Sequence, residues 1–279
     1  MATQKSKALL LRKLHHGRRI LVLPNAWDAA SARIFEDAGF PAIATTSGGV
    51  SASLGYPDGE NTPRDEMVAA IRRIARSVAV PVTADIEAGY GRTPRDVAAT
   101  IETVIQAGAV GINLEDGTRD PKRPLREIAE QVERIKAARE AASAAGVPMV
   151  INARVDVYLR RVGEESERLE HTLRRARAYL EAGADCIFPI MAAGDATIAA
   201  LAREIDGPIN LIVGPGIPAI PKLQRLGVAR VSFGSGPMRA AMGLTRRIAK
   251  ELLSRGTYTT LFRDAIPGGE MNRLMAMRP

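Results

Sequence analysis

Three acids stand where two apolar runs of the chain stop. Val82-Thr83-Ala84-Asp85-Ile86-Glu87 and Gly111-Ile112-Asn113-Leu114-Glu115-Asp116 both begin as strand-like segments and end in carboxylates. Side chains alternate along a strand, so Asp85 and Glu87 fall on one side, and Glu115 falls on the side of Asn113. Like charges this close repel unless a cation or a proton intervenes. Oxygen donors without His or Cys suit Mg²⁺ or Mn²⁺ better than Zn²⁺. Any one of these acids reads as a helix cap or a surface group; three at neighbouring strand ends read as metal ligands.

Two further stretches suit an anion. Ile151-Asn152-Ala153-Arg154-Val155-Asp156 places Asn152, Arg154 and Asp156 on one side. The Arg154 guanidinium matches a carboxylate or phosphonate bidentately, the alternative being a structural ion pair with Asp156. In Thr45-Thr46-Ser47-Gly48-Gly49-Val50-Ser51 the glycines let backbone N–H groups approach an anion and Ser47 offers a hydroxyl. Ser47 and Arg154 are thus the candidate catalytic residues. Gly48, Gly49, Trp27 and Asn210 join them as candidate substrate contacts, although Trp27 reads equally well as core.

The elements that must carry these residues alternate. Strand-type runs occur at 20–23, 42–45, 82–85, 111–114, 150–153, 186–189, 209–213 and 230–233. Between them lie segments with helical spacing, such as Val97, Ile101, Val104, Ile105 and Leu169, Leu173, Ala176, Leu180. Several stop at a glycine just before the next run, as at Gly108 and Gly183. Eight strand-helix units without a linker predict one α/β domain over 1–279, a (β/α)8 TIM barrel, which typically takes about 250 residues. Such a barrel carries its functional groups at the C-terminal ends of its strands. The runner-up, an open Rossmann-like sheet, lacks a G-x-G-x-x-G after the first strand. A helix near Met238–Ser254 and the residues after it are surplus to a barrel and read as an oligomer contact.

The net charge of +8 invites a nucleic-acid reading, but the arginines are dispersed among acids, as in Arg126, Glu127, Glu130, Glu133, Arg134, Lys136, Arg139 and Glu140. These read as solvated helix faces, and the five Phe, five Tyr and one Trp are too scattered to stack on bases. No apolar run approaches the roughly 18 residues of a membrane span. The basic N-terminal stretch reads as an amphipathic helix and not a signal. The single Cys186 fits a reducing compartment, hence the cytoplasm, and reads as a buried small hydrophobe. His15, His16 and His171 read as surface residues.

Taken in order, Pro24-Asn25-Ala26-Trp27-Asp28, Ser47-Gly48-Gly49 with Leu54-Gly55-Tyr56-Pro57-Asp58, Thr83 to Gly91, Asn113-Leu114-Glu115-Asp116 and Asn152 to Asp156 carry a resemblance. The chain resembles the isocitrate lyase and phosphoenolpyruvate mutase superfamily over almost its whole length. That resemblance implies an α/β barrel whose terminal helix is exchanged between subunits, a homodimer or homotetramer, and Mg²⁺ or Mn²⁺ as cofactor. It places Asp58, Asp85, Glu87 and Glu115 at the metal, directly or through water. It also places Ser47, Gly48 and Gly49 at the substrate-anion turn and Arg154 at the substrate-binding arginine.

The departures narrow the expectation. Isocitrate and methylisocitrate lyases carry a cysteine loop after the fourth strand, where this chain reads Glu115-Asp116-Gly117-Thr118-Arg119-Asp120-Pro121-Lys122-Arg123. Lys122 and Arg123 are the residues of that loop able to close over a substrate. Glu87 replaces the usual Asp, and Phe188-Pro189-Ile190-Met191 stands where relatives place a His or Glu. A divalent ion chelated by a 2-oxo acid would still stabilise the enolate left after C–C or C–P cleavage. The expectation is a metal-dependent lyase, decarboxylase or phosphonomutase-type enzyme for a small 2-oxo or 2-hydroxy acid, not an isocitrate lyase. The alternative is a catalytically inactive barrel that serves as an oligomeric scaffold or metabolite sensor.

Overall fold

The computed structural model describes residues 3–276. Its strands are β1 (Leu21–Leu23), β2 (Asn25–Ala26), β3 (Ile43–Thr45), β4 (Val82–Asp85), β5 (Gly111–Glu115), β6 (Val150–Val155), β7 (Cys186–Pro189), β8 (Asn210–Ile212) and β9 (Arg230–Ser232). All pairings are parallel, in two arcs ordered β1-β9-β8 and β2-β3-β4-β5-β6-β7. An isolated parallel bridge between Ile187 and Ile209 links β7 to the residue before β8.

Each of the eight apolar runs carries a strand, and the first continues past Pro24 as the short β2. Pro24 has no N–H for a ladder, and the chain changes partner across it: Leu23 pairs with Ser232, Asn25 with Ala44. The chain through Pro24 is therefore the second link between the two arcs.

Helices cover the strands. Pro94–Gln106 begins at a capping box of Thr93 and Asp96 and buries Val97, Ile101, Val104 and Ile105, as the spacing requires. It stops at Gly108, whose φ of +99° a side chain would resist. Helix Arg168–Glu181 is rotated from its expected face. Thr172, Ala176 and Tyr179 are its buried residues, with Leu169, Leu173 and Leu180 at the margin. The Tyr179 hydroxyl donates to Asp116 at 2.8 Å, which draws that side chain inward.

Three expectations of solvated cations fail. Arg134 is fully buried, and its Nη2 donates to the carbonyls of Ala88 and Gly91. Arg139 donates to the Met149 carbonyl at 2.7 Å and pairs with Asp185. His15, on the helix Gln4–His15, is buried with Nδ1 on the Leu11 carbonyl at 2.8 Å. That helix packs under the starts of the strands, where Leu11 Cδ2 lies 2.8 Å from the place of a Cβ on Gly111. His16 is exposed and His171 half-buried.

Beyond β9, the helix Gly236–Arg255 buries only Met238. Met242, Leu252, Leu253, Tyr258 and Phe262 of this segment are exposed, Leu253 at 92%. Helix Gly268–Ala276 returns to the helix Ala29–Asp37, with Leu274 buried and Arg273 3.7 Å from Asp37. Residues 277–279 of the expected oligomer contact lie outside the described residues. Among the described residues no helix is long and apolar enough to cross a membrane.

Candidate active site

Ladder register builds the site in rows. Asp85, Asn113, Asn152 and Cys186 are successive partners across β4 to β7, and two residues further on Glu115, Arg154 and Phe188 form the next row. A period of two sends both rows to the same face.

Asp85 Oδ2 accepts from the Ser47 N–H at 3.0 Å and the Ser47 hydroxyl at 2.7 Å. The segment read as an open anion turn is in fact the first turn of a helix, Ser47–Leu54, capped by Thr46 on the Gly49 N–H. Asp85 is itself an anion at that helix N-terminus, where the unpaired N–H groups favour negative charge. Gly48 approaches the Asp58 side chain closely, and a Cβ there would sit 2.9 Å from Asp58 Oδ2 and push that carboxylate aside. Gly49 lies one layer back, against Trp27 Cβ.

Glu87 leaves β4 with φ +52°, a left-handed conformation that a non-glycine residue holds only when its surroundings enforce it. Its Oε2 accepts from the Glu60 N–H, while its buried Oε1 has no hydrogen bond. Burial, and then the charges of Asp85 and Asp58, push its carboxyl up to about 8. Glu115 is also pushed up to about 8, by burial against the opposing pull of Arg154.

Arg154 is held on both sides. Nε and Nη2 donate to Asp156 at 2.7 and 3.0 Å, and Nη1 lies 2.5 Å from Glu115. The structural ion pair weighed as an alternative is present, and Arg154 also lines the cavity described below. Asp156 is fixed in turn, its N–H donating to Asp116 Oδ1 at 2.9 Å. Asp116 Oδ2 takes the Tyr179 hydroxyl and Arg175 at 3.0 Å. Burial raises the Asp116 carboxyl to about 6, Arg175 opposing.

Between these groups lies a cavity of about 140 Å³. It gathers Ser47, Gly48, Asp58, Asp85 and Arg154 from the expected set, together with Asn25 and Asn113, and is closed by Phe188 and Ile190. Glu87 and Glu115 line a wider vestibule of about 700 Å³ beside it. Gly49, Trp27 and Asn210 are not among the cavity's walls. Asn210 is fully buried, its amide 3.3 Å from the Ser232 hydroxyl. Cys186 is fully buried, which pushes its thiol up to about 12.

The residues 117–126 form a short loop pinned by a Gly117–Leu125 bridge. Arg123 lines the vestibule but pairs with Glu130 at 2.6 Å, and Lys122 is exposed. Glu60 carried no signal in the sequence, yet its Oε1 accepts from the Tyr90 N–H at 2.8 Å and its carboxylate stands 3.7 Å from Arg119. Only folding of its polar loop, with φ +52° at Glu60, brings it there. Asn25 was likewise read only as part of a motif, and its Oδ1 accepts from the N–H groups of Phe233 and Gly234.

The donor set fits a hard divalent cation. The unpartnered Glu87 oxygen and the mutual repulsion of Glu87, Asp85 and Asp58 are what a cation would relieve. Among the described residues no group of three or more His, Cys, Asp or Glu side chains is placed to hold a metal ion by itself. Mg²⁺ commonly uses one or two carboxylates plus water and substrate oxygens, so an open arrangement suits it.

The family model for phosphoenolpyruvate phosphomutase matches residues 11–253. The 2,3-dimethylmalate lyase of Eubacterium barkeri is 32% identical over 281 residues, covering 97% of this chain and 94% of that protein. A Burkholderia cenocepacia protein solved as a candidate lyase/mutase superposes with a TM-score of 0.91 at 38% identity, covering 98% and 97% of the two chains. Phosphonopyruvate hydrolase, solved with oxalate and Mg²⁺, gives a TM-score of 0.84 at 27% identity over 96% and 94%. The parallel α/β fold, the acid-lined strand ends and these matches agree: the chain belongs to the phosphoenolpyruvate mutase family, among the lyases and phosphonomutases of the isocitrate lyase superfamily.

Proposed function

We propose that this protein is a Mg²⁺- or Mn²⁺-dependent enzyme that cleaves a C–C or C–P bond of a small 2-oxo or 2-hydroxy acid through an enolate. The observation that carries the reading is the buried, unpartnered Glu87 oxygen on the vestibule wall, next to Asp85 and Asp58, which share the small cavity with Arg154. Asp85, Glu87, Glu115 and Asp58 would hold the cation, directly or through water. The metal would supply Lewis-acid stabilisation of enolate charge.

The chain's own residues do the rest. Asp85 is preset by the Ser47 N–H and hydroxyl, so it meets a ligand without reorganising. Arg154, braced by Asp156 along its Nε edge, would offer its Nη1 and Nη2 end to a substrate carboxylate in place of Glu115. Phe188 and Ile190 keep water away from the reacting carbon. The cavity is well below the roughly 300–1,000 Å³ of drug-sized pockets, which favours an acid of a few carbons.

We assign the whole chain to one eight-stranded barrel, supported by the Ile187–Ile209 bridge and the continuity through Pro24. The apolar groups exposed after residue 236 support self-association as a dimer or tetramer. A cytoplasmic enzyme suits the single, buried cysteine.

A screen of 2-oxo and 2-hydroxy dicarboxylates and phosphonates with Mg²⁺, scored for release of pyruvate or a related oxo acid, tests the reading. Turnover that needs the metal supports it. A second reading, an inactive scaffold or sensor, draws on the closed Glu115–Arg154–Asp156 chain, whose charges already answer one another. Absence of metal binding together with absence of turnover would favour that one.

A further inference from the structure

Arg230 opens β9 and is completely buried. Among the described residues it pairs with no carboxylate within 4.0 Å. Its one hydrogen bond runs from Nη2 to Asn113 Oδ1 at 3.4 Å, and Nε and Nη1 have no partner. A guanidinium taken out of water without a counter-charge is among the costliest things a core can hold. His15 and Cys186 do not compensate it. Burial, and then Arg230 itself, hold His15 down near 3, and burial keeps the Cys186 thiol protonated. Its ladder partners, Leu21 and Asn210, are neutral.

The charge is aimed by its surroundings. Asn113 Oδ1, which receives Arg230, also receives the Asn152 amide at 2.6 Å. Asn113 and Asp85 share a row and both line the small cavity. Arg230 therefore lies one hydrogen bond beneath the cavity, and Asp85 is the carboxylate there that feels its charge.

We propose that Arg230 is a positioning residue whose unpaired buried charge, relayed through Asn113, holds the floor of the cavity at a potential that favours a bound dicarboxylate or oxo-acid anion. The inference rests on the cavity being the substrate site. It explains a charge that packing alone would have replaced by a hydrocarbon, because the field acts on whatever anion sits above it.

Calorimetric titration of oxalate in the presence of Mg²⁺, paired with thermal unfolding, tests this on the full chain. Arg230→Met is expected to bind oxalate about tenfold more weakly while its Tm equals or exceeds that of the wild type. Arg230→Lys, which keeps the charge, should bind within about threefold of the wild type. If Arg230→Met does not fold, Arg230→Gln gives the same reading without the charge. A purely structural arginine would lower Tm and affinity together, without rescue by lysine. That pattern, or unchanged oxalate affinity in the methionine variant, overturns the role of Arg230 alone. Wild type that binds no oxalate overturns both this role and the cavity's reading as the substrate site.

Discussion

On the β6 side of the cavity every buried charge is answered within the protein. Asp156 takes the Arg154 fork, Asp116 takes Arg175 and the Tyr179 hydroxyl, and Glu115 takes what remains of Arg154. On the β4 side Glu87 keeps a buried oxygen with no partner and faces the like charges of Asp85 and Asp58. The two walls stand on adjacent parts of one parallel sheet, yet one is a finished network and the other leaves a buried carboxylate oxygen unanswered. A self-satisfied wall holds geometry, and an unsatisfied one binds, so mutations in the two walls should differ in what they damage.

The largest effect belongs to the unsatisfied wall. Asp85→Ala removes a proposed cation ligand and also one source of the repulsion on Glu87. Mn²⁺ affinity and metal-dependent turnover are expected to fall on the order of 10³-fold, the scale of several kcal/mol of Lewis-acid stabilisation. The variant should stay folded, losing about 1 kcal/mol as the Ser47 N–H and hydroxyl lose their acceptor. Unchanged Mn²⁺ binding, measured by electron paramagnetic resonance, would sink the metal assignment and with it the contrast.

The finished wall should respond in both quantities. Arg154→Lys cannot reproduce the fork on Asp156, which is 0% exposed, so a buried carboxylate loses part of its counter-charge. The expected losses are about 10- to 100-fold in kcat/KM and roughly 3 kcal/mol in stability. Wild-type kinetics with reduced stability would make Arg154 a structural residue only.

A control outside the cavity lining tests whether unsatisfied burial by itself mimics a site. His15 is held near 3 by burial and by Arg230, against 6.5 for the free side chain, and His16 adds a small push the same way. Between those values the unfolded chain binds a proton that the folded chain refuses. Stability therefore falls as pH drops from 6.5 toward 3, by up to about 1.4 kcal/mol per pH unit. His15→Leu should flatten that limb in chemical denaturation series, without changing Mn²⁺ affinity. An unchanged limb would show that other groups set the acid response.

Much of this was legible before folding, for reasons that also mark the limits. Strand periodicity located all eight runs and placed Asp85, Glu115 and Arg154 on the interior face, because alternation is a local property of the chain. What is not local was missed. Pro24 forced a change of ladder partner that a hydrophobic pattern does not register. Arg134, Arg139 and His15 read as solvent groups, since nothing in the neighbouring residues tells of a carbonyl or a counter-charge reached across the fold. Ser47 and Gly48 were found but misjudged in form, as the Thr46 cap converts their turn into a helix start that engages Asp85.

The smallest expected effect is also the one that decides between chemistries. Cleaving isocitrate or 2-methylisocitrate leaves a succinate carbanion equivalent that needs a proton, and general acid assistance of this kind is worth about 10²–10⁴-fold. The loop after Asp116 offers Arg119, Asp120, Lys122 and Arg123 but no thiol. The chain's one thiol, Cys186, lies at the start of β7 with no exposed surface and its proton held by burial. Isocitrate and 2-methylisocitrate are thus expected to be trace substrates at most. Oxaloacetate or phosphonopyruvate, whose enolate is pyruvate-like and can take its proton from water, should be turned over better. Cys186→Ser should leave that turnover within about twofold and cost about 1 kcal/mol of stability, because a hydroxyl replaces a thiol in an apolar setting. Efficient glyoxylate release from isocitrate, or its loss in Cys186→Ser, would place the proton donor elsewhere and remove the distinction drawn from this loop.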